Sequence, residues 1–304
     1  MIARSSLKTT VYMKYIIYIL LFFPIWVTAQ TYKYIGIENG LSNRRIFNIQ
    51  KDTQGYMWFL TNEGMDRYNG KDIKHYKLNK EASTLDAPVR LGWLYTGPQI
   101  GIWVIGKQGR VFRYEANEDD FRMVYKLPDI SETISCGYLD RNNNIWLCCK
   151  DSILLYNIND AHILQFSNIL HSNITAIEQI DEQHFFIATE LGVRYVKLEN
   201  GILETIPVKT LDYFHAQVSE LYFHKQLKRL FIGSFERGVF VYDMNTQEII
   251  RPEADLSDVN IARISPLNET ELLIATEGMG VYKVNANTCE LEHYIIANYQ
   301  SYNE

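Results

Sequence analysis

From Arg45 to Lys51 the chain alternates apolar and polar residues, which predicts a half-buried strand. Asp52-Thr53-Gln54-Gly55 follows as a turn, because Asp bonds the backbone ahead of it and Gly accepts a positive φ. Tyr56 to Thr61 is a second strand, and Asn62-Glu63-Gly64 reverses the chain into a third, Met65 to Tyr68. Asn69-Gly70 is a strong hairpin signal, and Ile73 to Lys77 completes the unit as a fourth strand.

This plan recurs six times. Pairs of aromatic or aliphatic residues mark the second strand at Trp58-Phe59, Trp103-Val104, Trp146-Leu147, Phe186-Ile187, Phe231-Ile232 and Leu273-Ile274. A tyrosine follows each lead residue by nine to eleven positions, at Tyr68, Tyr114, Tyr156, Tyr195, Tyr242 and Tyr282. Successive lead residues are 45, 43, 40, 45 and 42 positions apart. A period of this length with several short strands per unit is the signature of a β-propeller blade, so the fold class is all-β, with four-stranded antiparallel blades. The lead residues and tyrosines then fill the space between blades.

The repeats are expected over about 41–80, 87–128, 133–168, 173–208, 217–253 and 258–296, within a propeller of residues 30–296. Tyr32 to Ile37 reads as one more strand, of the kind that completes a last blade and covers its edge. The sixth repeat already carries an outer strand, Glu290 to Ile296, and 297–304 read as a tail or the start of a further blade. The expectation is an incomplete seven-bladed propeller. The alternative is a closed six-bladed ring in which Tyr32 to Ile37 adds a fifth strand or stays loose.

The first 29 residues alter the picture of where the chain works. Lys14 precedes an apolar run from Ile16 to Val27, and Val27-Thr28-Ala29 is a small-residue cleavage pattern, so 1–29 read as a secretory signal peptide cut after Ala29. The remaining residues hold 27 basic and 36 acidic side chains, a net charge of −9. That balance argues against nucleic-acid binding. Cys136, Cys148, Cys149 and Cys289 have no metal-ligand spacing and read as small buried hydrophobes. Export would permit a Cys136–Cys148 bridge, which spacing does not establish. Cys148 and Cys149, adjacent on a strand, should face opposite ways.

The first repeat resembles a known family. Asn39-Gly40-Leu41-Ser42-Asn43, Ile49, Asp52, Gly55, Trp58, Thr61, Gly64, Arg67-Tyr68 and Gly70 look like a two-component regulator propeller repeat, with Leu60 where the family usually has Gly. Ser83-Thr84-Leu85-Asp86 is a linker of the same type. The later copies keep the period and lose most of the motif. The resemblance implies the periplasmic sensor region of a hybrid two-component histidine kinase. In that arrangement two seven-bladed propellers precede a transmembrane helix and kinase, and the ligand is commonly an oligosaccharide. After residue 29 this sequence has no comparable apolar run, no kinase helix and no ATP-lid pattern. The expectation is therefore a sensor fragment, a truncated gene product or a stand-alone exported relative. Membrane attachment would come only through downstream segments, and a homodimer is compatible.

Candidate chemistry is sparse. None of the seven histidines has H-x-H or H-E-x-x-H spacing, and no G-x-S-x-G elbow occurs. No catalysis, cofactor or metal is expected. In a propeller, loops joining the second and third strands share one face with those leading into each inner strand. On that face Trp93, Tyr213, Phe214 and Phe235 are candidates to stack on a sugar. Arg44, Glu63, Arg90, His215, Glu236 and Arg237 are candidates to pair with its hydroxyls. The expected function is periplasmic ligand sensing, with an oligosaccharide as ligand. The alternatives are an exported scaffold that binds a protein, and a propeller-type polysaccharide lyase or glycosidase.

Overall fold

The structure is a computed structural model that describes residues 33–78, 91–128, 133–252 and 256–295. These residues form six four-stranded antiparallel sheets, each with its strands in sequence order. They are the six blades of a β-propeller. The inner strands are Ile46–Lys51, Leu91–Gly97, Cys136–Leu139, Ile174–Gln179, Val218–His224 and Ile261–Pro266. Each inner strand packs beside the next in chain order, so together they line the axis. One helical turn, Lys209–Asp212, lies between blades four and five.

The spacing from turn aspartate to tryptophan has a local cause. Asp52 Oδ1 accepts the backbone N–H groups of Gln54 and Tyr56, both at 2.9 Å, while Oδ2 accepts the Trp58 indole N–H at 2.7 Å. Asp140 does the same for Asn142, Asn144 and the Trp146 indole, at 2.9, 2.8 and 2.9 Å. One carboxylate therefore closes the turn and satisfies the polar atom of a buried ring. Blade two has no such aspartate, and the Ile100 carbonyl accepts the Trp103 indole N–H at 2.6 Å instead.

The lead residues build the core between blades. Five clusters of buried side chains join blades one to two, two to three, three to four, four to five and five to six. Strand register decides which ring meets which. In blade three, Tyr156 lies across from Ile145, the residue before the lead, and so points back to the preceding blade, where it meets Trp103 at 6.4 Å. Tyr114 meets Trp58 at 5.0 Å and Tyr242 meets Phe186 at 6.1 Å in the same way. In blade four the spacing is nine, and Tyr195 lies directly across from Phe186. Tyr195 then faces forward, and Phe185 takes its place against Trp146 at 4.9 Å. Register rather than spacing sets the face: Tyr282 of blade six also follows its lead by nine, yet lies across from Ile274 and points back into the cluster with Phe231.

Two expectations change. The described part of the expected strand Tyr32 to Ile37 does not extend a blade: residues 33–36 carry no strand, and Ile37–Asn39 form a 3-10 turn closed by the Gly40 N–H on the Ile37 carbonyl at 2.9 Å. The outer position of blade six is filled by Leu291–Ile295, paired antiparallel with the third strand of that blade. The four cysteines are free and buried. Cys136 and Cys148 face one another across their strands, and Cys149 enters the cluster on the other side of the blade. Residues 1–29, expected to be a signal peptide, and 297–304 lie outside the described residues.

Candidate functional site

The loops of the predicted binding face are shaped by a repeated hydroxyl-to-carbonyl bond. Thr61 Oγ1 donates to the Gly64 carbonyl at 3.2 Å, Thr189 Oγ1 to that of Gly192 at 3.3 Å, and Ser234 Oγ to that of Gly238 at 2.7 Å. Gly64 and Gly192 have φ of +134° and +140°, and a Cβ on either would lie within 2.3 Å of the carbonyl oxygen of Tyr76 or Phe214. Only glycine fits such a close backbone approach. In blade one the buried Asp66 carboxylate gathers the approach to the sheet: it accepts the Ser42 N–H at 2.8 Å and the Ser42 Oγ–H at 2.9 Å, and pairs with His75 Nδ1 at 2.7 Å. Ser42, His75 and Asp66 thus form an anchor centred on the carboxylate. They are not a relay from serine through histidine.

The structure brings five of the ten predicted site residues together, over blades four to six. Tyr213 caps the helical turn and is 74% exposed. The His215 carbonyl accepts a guanidinium N–H from Arg237, and His215 Nδ1 lies 3.4 Å from the Leu191 carbonyl. Phe235 is held by its N–H on the Gln217 carbonyl at 2.9 Å. The Glu236 N–H donates to Asn260 Oδ1 at 2.8 Å, and Asn260 Nδ2 donates to Glu277 at 2.9 Å. These bonds tie the loops of three blades into one arc. Leu191 and Met279 stand exposed at the ends of the arc.

The remaining candidates lie elsewhere. Phe214 points inward, buried edge-on to Phe240 at 5.1 Å, because Leu211, Phe214 and Ala216 close the top of the interface between blades four and five. It presents no ring to the face. Trp93 sits on an inner strand, half-buried over Gly137, where a Cβ would come within 2.8 Å of its ring. Arg44 and Glu63 are exposed at blade one, without a described contact to the arc. Arg90 lies outside the described residues.

A second polar group, unforeseen from sequence, lines the axis. Tyr95, Tyr138, Glu178 and Tyr222 occupy equivalent positions on neighbouring inner strands, each across from its lead aromatic. They bridge blade to blade. The Tyr95 hydroxyl donates to the Gly137 carbonyl at 2.9 Å, the Gln179 N–H to the Tyr138 hydroxyl at 3.2 Å, and the Phe223 N–H to Glu178 Oε1 at 3.3 Å. Two residues along its strand from Tyr222, Glu220 lies 3.5 Å from the Arg263 guanidinium. Burial pushes the carboxyls of Glu178 and Glu220 up to about 7, against the opposing charges of Arg141 and Arg263. The pair can exchange protons near neutrality. The signal for it was the charged residues within the inner-strand runs ITAIEQ, VSELYFH and IARISP. Among the described residues no group of three or more His, Cys, Asp or Glu side chains could hold a metal ion.

Residues 40–63 match the family model described as two component regulator propeller. No curated protein matches the sequence. Among solved structures, the fold resembles the extracellular domain of BT3049 from B. thetaiotaomicron, a chain assigned to a hybrid two component system. The TM-score is 0.69 at 21% identity, over 88% of this chain and 36% of that one. The extracellular domain of BT4673 from the same organism, likewise assigned to a hybrid two component system, gives 0.64 at 18% identity, over 88% and 34%. A streptogramin B lyase structure gives 0.65 at 16% identity, over 83% of each chain. At these identities the likeness is one of fold. The chain spans about a third of the length of the two extracellular domains.

Proposed function

We propose that this chain is a ligand-sensing propeller of a hybrid two-component signalling system, exported to the periplasm. The observation that carries this reading is the match of residues 40–63 to the two component regulator propeller family. The likeness of the fold to extracellular domains assigned to such systems supports it. The ligand is an oligosaccharide, bound over the arc of blades four to six. The Tyr213 and Phe235 rings stack on sugar faces, and His215, Glu236 and Arg237 pair with hydroxyls. Arg44 and Glu63 form the rim at blade one. Binding biases how sensor domains pack in a dimer, and that bias reaches a kinase beyond the membrane. No catalytic step is assigned to this chain.

The test is a calorimetric screen of neutral and acidic oligosaccharides against the wild-type chain and a Tyr213→Ala/Phe235→Ala double variant. Each ring–sugar contact is worth about 1 kcal/mol, so the double variant should bind about thirtyfold more weakly. An arc ligand whose affinity is the same in both proteins overturns the site, and no binding to any glycan overturns the ligand class. A second reading, an exported scaffold that binds a protein, draws on Leu191 and Met279. Their exposed aliphatic side chains suit an apolar protein surface better than a sugar. It takes over if no glycan binds.

A further inference from the structure

On the face opposite the arc, the turns between the first and second strands of blades three, four and five enclose a cleft of about 660 Å³. Its walls include Arg141, Asn142, Gln179, Glu182, His184 and Lys225. The volume is that of a small-molecule site.

The charges in the cleft are unevenly satisfied. Asp181 has local partners: its carboxylate pairs with His184 Nδ1 at 2.9 Å and accepts the N–H groups of Gln183 and His184, both at 2.9 Å. The Arg141 guanidinium makes one described hydrogen bond, to the Ile180 carbonyl at 3.3 Å, and keeps its other donors. Lys225 is exposed and has no hydrogen bond or ion pair among the described residues. Two cations therefore share the cleft with two exposed carboxylates, of which Asp181 is paired with His184 and Glu182 has no ion pair among the described residues. The lining is balanced in formal charge, but the cationic donors of Arg141 and Lys225 are left without carboxylate partners among the described residues.

Gln179 adds an independent observation. It is 0% exposed, and its Oε1 accepts the Arg141 backbone N–H at 2.6 Å. A backbone N–H requires an oxygen, so the amide orientation is fixed. That leaves Nε2 buried with no acceptor among the described residues. A buried donor left in this way is destabilising and calls for an acceptor supplied from elsewhere.

We propose that this cleft binds a small hydroxylated carboxylic acid. Its carboxylate lies between Arg141 and Lys225, Asn142 and Glu182 meet its hydroxyls, and the Gln179 amide is the donor its oxygens complete. The site does not rest on the sensing reading, whose ligand lies on the opposite face.

The experiment is calorimetric titration at low ionic strength with glucuronate and with glucose, which differ by the carboxylate alone. The wild-type chain, Arg141→Met, Lys225→Met and Tyr213→Ala are compared. Lys225 is exposed and unpaired among the described residues, so Lys225→Met should keep the wild-type melting temperature. Arg141→Met, which also loses its bond to the Ile180 carbonyl and its charge opposite Glu178, should stay folded with a lower one. Glucuronate should bind at least about tenfold more tightly than glucose, and each cation removed should weaken it about fivefold. Tyr213→Ala should leave it unchanged. Equal binding of the two sugars, binding of neither, or glucuronate affinity insensitive to both Arg141→Met and Lys225→Met overturns the proposal. Loss of glucuronate binding in Tyr213→Ala alone assigns the acid to the other face and overturns it too.

Discussion

The interface between blades three and four and the junction of blade six with blade one use the same strand positions, yet they are covered differently. Ile177, on the inner strand of blade four, is 5% exposed against the Trp146 cluster of blade three. Leu94, Leu221 and Ile264 hold the equivalent place at 0–3%. Ile49 holds it in blade one and is 49% exposed. The lead residues divide in the same way: five are at most 2% exposed, while Leu273 of blade six is half-buried. Phe59 is buried behind Ile49 but belongs to none of the five interblade clusters, and Arg45 lies over the exposed Phe47 ring at 5.2 Å. An apolar residue in the right register prepares an interface, and burial depends on the neighbour that meets it.

The sharpest way to break this contrast is to place a charge at equivalent positions. Ile177→Asp leaves a carboxylate unpaired in the core and should unfold the chain or cost more than about 4 kcal/mol. Ile49→Asp should stay within about 0.5 kcal/mol of wild type, as for other surface substitutions. Urea melts of the two decide it, and an equal loss at Ile49 would mean that this face is covered in solution.

Truncating the lead residues gives a smaller separation. Trp146→Ala removes a fully buried ring and should cost about 3–5 kcal/mol, against about 1 kcal/mol for Leu273→Ala. The midpoint of chemical unfolding measures both. Similar losses would place the blade-six lead in a packed core.

A third contrast lies along the axis, where Glu178 and Glu220 belong to well-covered blades. Burial raises both carboxyls to about 7. Between their ordinary range and that value, the folded chain keeps protons that the unfolded chain has released. Their contribution is therefore fully present at low pH and is lost as pH rises through 7. The ceiling is about 3 kcal/mol per group. Glu220 keeps a fifth of its side chain exposed, so about 2 kcal/mol for the pair is expected between about pH 5 and 8. Glu220→Gln should flatten roughly half of that slope in melts across the range. A slope unchanged by Glu220→Gln would place the titration elsewhere.

Much of the fold was legible because it repeats. The interval between lead residues marked the blades, Asp52 and Asp140 marked the turns, and Asn69-Gly70 marked a hairpin. All of these signals are local, set by backbone geometry and the two-residue strand period. The nine-residue spacing to Tyr195 was visible too, but Tyr282 shares it and faces the other way, so its meaning depended on strand register. The candidate site was only partly legible. Tyr213 and Phe214 are adjacent aromatics with the same local signal, and one is exposed while the other is buried.

The sequence by itself determined the all-β class, the four-stranded repeat and which residues could enter a core, because periodicity and turn chemistry act over a few residues. The tertiary structure alone decided which of those residues are covered. It separated Ile49 from Ile177 and Phe214 from Tyr213, set Glu178 and Glu220 on the axis, and gathered Arg141, Gln179 and Lys225 from three blades into one cleft. The physical reason is that burial, charge pairing and cavity shape depend on neighbours about forty residues away in the chain.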